Sequence, residues 1–248
     1  MSSFIFLDSR DSLATGRANQ FDWSLTGVNN QLTQNILFSV DQFTMPNSRY
    51  VIHTYNKFLY VQQNGGGTQI ATLTEGNYTA TTLATEMKTR LDALGINTFT
   101  ITYSSTTQKY TISVGVLPNV VQFVAGSYNP YSVIGLDLNV HKSAVNNLVF
   151  SSQVNLAGTQ FIDIVCTSIP NPNIKSGTSY PLLWRVPCNV PIGSLIYWED
   201  YSNRNVKVSP YQLDNLSITI LDDEGNPYDL DTLHPLTLVI KLSQQPSN

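Results

Sequence analysis

Three histidines, His53, His141 and His234, are the side chains in this sequence best suited to move a proton near neutral pH or to hold a transition metal. None has a second histidine or a carboxylate at metal-ligand spacing, and His234 stands directly before Pro235, where a turn residue is expected. The acidic run Asp222-Asp223-Glu224, with Asp229 and Asp231 beyond it, could offer oxygen ligands to calcium. Its spacing departs from the twelve-residue calcium loop, so it reads as the solvated turn of a hairpin in which Gly225-Asn226-Pro227 supply the backbone angles. Gly65-Gly66-Gly67 meets neither the GxGxxG nor the Walker-type phosphate-loop spacing and reads as a flexible break. Cys166 and Cys188, the only cysteines, each lie in an apolar strand-like run and read as a buried, reduced pair, able to join only if their strands prove adjacent. Trp23, Trp184 and Trp198 also fall in strand-like runs, where packing is expected rather than a sugar-stacking platform. On this basis the chain has no catalytic, metal or cofactor-binding residue, and it reads as a building block rather than an enzyme.

Those side chains are carried by short strands. Two clean two-residue alternations, Leu216-Ser217-Ile218-Thr219-Ile220 and Leu236-Thr237-Leu238-Val239-Ile240-Lys241-Leu242, each predict a strand with one dry and one wet face. Similar runs occupy 21–25, 35–43, 49–61, 148–154, 160–167, 182–186, 194–197 and 206–208. The period changes once, at 80–94, where Leu83, Met87, Leu91 and Leu94 form the stripe of an amphipathic helix. Thr79 is placed to cap it, Tyr78 and Leu83 to staple its start, and Gly95 to end it. A hairpin follows at 98–103 and 109–114. Many short strands with one helix predict an all-β sandwich rather than a parallel α/β sheet. The expected organisation is an N-terminal arm at 1–20 and a sandwich over 21–248, with the helix and hairpin as an excursion at about 68–126.

Composition narrows the partners. Charged residues make up 12% of the 248 residues, about half of the roughly 25% usual for soluble domains, which suits a protein packed among neighbours. The net charge is −4 with no Lys/Arg cluster, so direct nucleic-acid binding is not expected. No apolar run reaches the ~20 residues of a membrane span. The start lacks the basic lead and long apolar core of a secretory signal, which predicts synthesis in a cytosol-like compartment. The apolar run Phe4-Ile5-Phe6-Leu7 is a candidate docking segment, set to lie on a neighbouring chain or on the protein's own body.

Several stretches, in order, resemble one family. They are Phe43-Thr44-Met45-Pro46-Asn47-Ser48-Arg49-Tyr50, Glu75-Gly76-Asn77-Tyr78-Thr79, the hairpin at 98–114, and Val133-Ile134-Gly135-Leu136. Leu183-Trp184-Arg185-Val186-Pro187 then leads into Gly193-Ser194-Leu195-Ile196-Tyr197-Trp198-Glu199-Asp200, and the acidic turn at 221–230 closes the series. In these the chain resembles the penton or minor capsid proteins of double-jelly-roll DNA viruses, the virophages, Polinton-like viruses and their giant-virus relatives. The resemblance implies a jelly-roll β-sandwich with the inserted helix and hairpin, acting as a structural subunit of an icosahedral capsid. A penton implies a homopentamer at the five-fold vertices, in contact with the viral major capsid protein and other minor capsid proteins. It implies a place in the virion after synthesis in the host cytoplasm, and no residue-level active site. A minor capsid or cement protein between capsomers, or a jelly-roll spike that binds a receptor, is the alternative. The penton reading makes Phe4, Ile5, Phe6 and Leu7 interface candidates.

Overall fold

The computed structural model describes residues 2–13, 19–25, 36–115, 120–138, 143–144, 147–169, 174–175, 178–179, 181–202, 205–208, 213–228, 230 and 235–244. The chain divides into two compact units, Met1–Arg49 with Thr159–Asn248, and Tyr50–Gly158. The first unit opens with β1 (Ser2–Asp8), β2 (Gln20–Ser24) and β3 (Ile36–Pro46). The second holds β4 (Phe58–Gln63), β5 (Gln69–Thr72), helix α1 (Ala80–Asp92), β6 (Phe99–Ser104), β7 (Lys109–Val114), β8 (Val121–Phe123), helix α2 (Tyr131–Ile134), β9 (Ser143–Ala144) and β10 (Asn147–Val149). The first unit resumes with β11 (Phe161–Cys166), β12 (Ile174–Lys175), β13 (Thr178–Ser179), β14 (Leu182–Pro187), β15 (Leu195–Glu199), β16 (Val206–Val208), β17 (Asn215–Asp222) and β18 (Thr237–Gln244). No helix among the described residues is long and apolar enough to cross a membrane.

In the first unit, the two large antiparallel sheets run β1-β18-β3-β15, with β16 also on β3, and β14-β11-β17-β2, beside the small pair β12-β13. The first strand pairs the last and the second pairs the next to last, so the chain is a ribbon folded over on itself and split between two sheets. That strand order is a jelly roll, as the sequence predicts. Each sheet turns its apolar alternation inward: Leu216, Ile218 and Ile220 on β17, Ile162, Ile164 and Cys166 on β11, and Leu238, Ile240 and Leu242 on β18 are all buried in one core. Burial of each such aliphatic side chain contributes about 1.5–3 kcal/mol. β3 changes phase midway, with Ile36, Phe38 and Val40 buried, then Phe43 and Met45. The register against β18 shifts at Val239/Ile240, a bulge that lets one long strand keep its apolar side inward on both sides of the irregularity. Trp23 is buried with its indole N–H donating to the Asp8 carbonyl at 3.0 Å. Trp184 and Trp198, on opposite sheets, bring their rings to 5.0 Å inside the sandwich.

Residues 2–8 are a full strand of the sandwich rather than an arm. β1 pairs with β18 along its whole length, from Ser2↔Ser243 to Asp8↔Thr237. The stretch 49–61, expected as one strand, is a loop followed by β4, because Arg49 turns into the first unit's core and the chain then enters the second unit.

The second unit has its own core of Leu83, Met87 and Leu91 from α1 with Phe99, Tyr110, Ile112, Phe123 and Phe150. Thr79 caps α1, accepting from the Thr82 N–H while the Thr82 hydroxyl accepts from the Thr79 N–H, and Gly95 follows at φ 69°. The Tyr110 hydroxyl donates to the Ala80 carbonyl at 2.7 Å, tying β7 to the first turn of α1, and burial pushes its phenol well up. The expected hairpin forms as β6 and β7 within the sheet β10-β7-β6, and a second sheet runs β5-β4-β8-β9. The compact unit is wider than the 68–126 excursion because β4 pairs with β5 and β8, and β10 pairs with β7, so strands on both sides of that stretch share one core.

Candidate assembly surface

The acidic turn after β17 is half inside the protein. The inward alternation of β17 continues through Leu216, Ile218 and Ile220 to Asp222, which is 2% exposed. Its carboxylate pairs with the Arg49 guanidinium, which also donates to the Pro227 carbonyl and lies 4.6 Å from the centre of the Tyr228 ring. The other Asp222 oxygen accepts the Glu224 and Asn226 backbone N–H groups at 3.0 and 2.7 Å. The Tyr228 hydroxyl donates to Asn47 at 3.1 Å, and Asn47 donates to the Val190 carbonyl. Asp222 is thus the anchor that shapes the turn, which corrects the reading of the whole cluster as solvated. Glu224 does reach solvent, and desolvation with the neighbouring Asp222 and Asp223 charges pushes its carboxyl up. Asp229, Asp231, His141 and His234 lie outside the described residues.

Other sequence candidates are scattered. His53 sits in a loop of the second unit, where its Nδ1 accepts the Tyr55 N–H at 3.2 Å. Gly65 and Asn64 both take positive φ in a turn closed by the Gly66 N–H on the Gln63 carbonyl, so the expected flexible break is a tight corner between β4 and β5. Cys166 and Cys188 are free, and although β11 and β14 are neighbours, the register puts the two residues at opposite ends of the pair, on the order of 20 Å apart at ~3.3 Å per residue. Burial pushes both thiols up. A thiol reagent at pH 7.5 is therefore expected to react slowly with the folded protein and to count two thiols after denaturation; one or none would contradict this geometry.

The feature that stands apart is the outer face of the sheet β1-β18-β3-β15. Leu7 is buried in the core and Ile5 packs against it, while Phe4 and Phe6 point the other way, 50% and 78% exposed. Phe4 lies opposite Lys241 and Phe6 opposite Val239 on β18. At the far edge, Ile196 and Trp198 face inward, and Leu195 and Tyr197 face outward, each 58% exposed. Tyr201, just beyond β15, is 83% exposed. The Tyr197 and Tyr201 hydroxyls both donate to Glu199, at 3.1 and 3.0 Å, a contact that pushes both phenols up. Between the edges lie the half-buried Gln42, Thr44 and Thr237. A solvated antiparallel sheet ordinarily alternates apolar with polar residues, so large apolar side chains on a second face mark a candidate contact surface. The alternation Leu195-Ile196-Tyr197-Trp198, apolar at four consecutive positions, is the signal in the sequence for the far edge, as Phe4–Leu7 is for the near one.

The outer face of the other sheet is more polar, although it too shows an aromatic side chain, Phe161, 38% exposed with the Arg185 guanidinium 5.5 Å from its ring centre. It carries Gln20, Asp22, Ser217 and Thr219, with Asp163 fully buried beneath a cross-strand pair to Arg185 at 2.6 and 2.8 Å. In the second unit a smaller aromatic group forms where Tyr128 meets Tyr55 edge to face at 5.4 Å.

No protein-family model and no curated protein matches the sequence. Among solved structures, the chain is similar to the mavirus penton protein, with 13% identity, a TM-score of 0.49 and coverage of 98% of this chain and 100% of that one. It is also similar to a chain of the Sputnik virophage, with 12% identity, a TM-score of 0.42 and coverage of 97% of this chain and 98% of that one.

Proposed function

We propose that this chain is a structural subunit of a viral capsid and serves as its penton, forming five-fold rings at the vertices of an icosahedral shell. The observation that carries the reading is the outer face of β1-β18-β3-β15, where a jelly-roll sandwich built from the capsid-like stretches leaves Phe4, Phe6, Leu195, Tyr197 and Tyr201 in the open. Fold alone assigns no function, and jelly rolls serve many. Large apolar side chains on both edges of one sheet, however, burden a dispersed protein and favour one packed among copies of itself. The low density of charge agrees, since few long-range fields oppose close packing. Within the segment 4–7, Phe4 and Phe6 make the contacts between subunits, and Ile5 and Leu7 hold the strand in the sandwich so that the two rings are presented rigidly. The partners are further copies of this chain, the major capsid protein around the vertex and other minor capsid proteins, and the site of action is the virion.

Native mass measurement of the purified protein, joined to electron microscopy of particles, tests this. Pentamers and matching density at the five-fold vertices are expected. A chain that stays monomeric at every concentration and is absent from the vertices overturns the penton assignment. Density between capsomers would make it a cement protein instead, and a trimer that binds glycans would make it a spike.

A further inference from the structure

A closed ring needs two different surfaces on each subunit that fit one another, because its contacts run head to tail. The outer face of β1-β18-β3-β15 holds two such surfaces at its opposite edges. The β1 edge presents Phe4 and Phe6 beside Lys241. The β15 edge presents Leu195, Tyr197 and Tyr201 around the Glu199 carboxylate, with Asp200 next to it and its backbone N–H on the Asp41 carbonyl at 2.9 Å. The β1 edge sets its rings beside Lys241 on β18, with the Asp8 carboxylate further along β1 already paired to Arg10, and the β15 edge sets its rings around Glu199 and Asp200.

Register decides whether they can meet within one molecule. Phe6 pairs with Val239, Val239 with Gln42 and Gln42 with Glu199, so the two edges share a row of the sheet and are separated by three strand spacings, roughly 14 Å at ~4.8 Å each. Both patches ride on one hydrogen-bonded sheet and cannot fold onto each other. Each needs a partner from outside, and the patch with the complementary charge and the same aromatic character is the other edge of a second copy.

We propose that the β1 edge of one copy, through Phe4, Phe6 and Lys241, docks on the β15 edge of the next, through Leu195, Tyr197, Glu199 and Tyr201. This rests on the reading of the chain as a self-assembling capsid subunit and specifies which surfaces it uses. The phenols are already held by Glu199, so the acceptor is ordered before contact and little side-chain freedom is lost on docking. Lys241 approaching Glu199 and Asp200 sets the direction of the contact, since two β1 edges or two β15 edges would bring like charges together.

Two edge variants of the full chain test it. Phe4→Thr/Phe6→Thr alters the first edge, and Leu195→Thr/Tyr197→Thr alters the second; threonine keeps strand propensity, and circular dichroism checks that each is folded. Each variant alone is expected to be monomeric by native mass. Mixed one to one, they are expected to form a heterodimer and nothing larger, because only one intact pair of edges remains. As a second measurement that leaves the apolar residues in place, Lys241→Glu and Glu199→Lys are each expected to break the assembly, and the two together in one chain to restore it. The proposal is overturned if either edge variant keeps the wild-type mass, if one variant dimerises by itself, or if Lys241→Glu and Glu199→Lys both keep the wild-type mass. Wild-type protein that is monomeric at every concentration would strike at the capsid reading itself, a different failure.

Discussion

Arg49→Ala is expected to lower the Tm of the protein by roughly 10–15 °C, the scale set by a loss of ~3–5 kcal/mol when one partner of a buried ion pair is removed. The side chains of Arg49 and Asp222 are 6% and 3% exposed, so the carboxylate left behind would have no water to replace the guanidinium. The same substitution strips the Pro227 carbonyl of its donor and removes the cation from the face of the Tyr228 ring. Three contacts therefore fail together, and the turn that Asp222 organises through the Glu224 and Asn226 N–H groups loses its anchor. Arg49→Lys keeps the charge but cannot span Asp222 and Pro227 at once, so an intermediate loss is expected. Arg49→Met with Asp222→Leu is expected to cost less than Asp222→Leu alone, because no guanidinium is left buried without its partner, while the Glu224 and Asn226 N–H groups lose their acceptor in both. Thermal unfolding followed by circular dichroism reads each of these proteins beside the wild type. An Arg49→Ala protein within 2 °C of wild type would show that the pair does not support the fold.

Gly135→Ala is expected to destabilise the second unit by about 2–5 kcal/mol, combining ~1–2 for a side chain in the left-handed region with ~1–3 for overpacking. Gly135 ends α2 at φ 77°, and a Cβ there would fall 2.3 Å from the Ser152 carbonyl oxygen and 2.8 Å from that of Gln153. Both obstacles are backbone, and the Ser152 N–H is itself bonded to the Gly135 carbonyl at 2.9 Å, so the two segments would have to part. What is at stake is the placement of Tyr131 one turn earlier. Its hydroxyl accepts the Tyr60 N–H and donates to the Val124 carbonyl, and burial pushes the phenol up to about 12. Gly95→Ala is the control, at φ 69° with open space around the added methyl, and should cost only the backbone share. Hydrogen exchange at the amides of β4 and β8 is expected to accelerate in Gly135→Ala and to change little in Gly95→Ala. Equal effects in the two would mean that the close approach to Ser152 is relieved without cost.

Much of the architecture was legible before folding. The alternations at 216–220 and 236–242 predict strands with one dry face, and β17 and β18 bury Leu216, Ile218, Ile220, Leu238, Ile240 and Leu242 accordingly. The helix from Ala80, its threonine cap and the glycine beyond it follow from local rules, because a helix satisfies its hydrogen bonds within one stretch of chain. Asp222 was misread although its own alternation pointed inward; a charged residue continuing a buried phase needs a partner, and Arg49 is 173 residues away. Phe4–Leu7 was recognised as an apolar run, but nothing in four consecutive apolar residues distinguishes a docking arm from an edge strand that shows two of them on each face.

The sequence by itself determined most of the long strands, among them β17 and β18, which side of each is dry, and that the chain is sparse in charge, since these depend on the residues and their immediate neighbours. It also placed one helix and the turns. The tertiary structure decided the rest: that β17 and β18, adjacent in the chain, part into different sheets, with β18 lying between β1 and β3. It decided that Arg49 meets Asp222, that Cys166 and Cys188 are kept apart on neighbouring strands, and that Phe6 and Glu199 share a row. Each of these is a pairing between segments distant in sequence. Register and sheet order are chosen by the joint burial of many apolar faces at once, and no single segment carries that information.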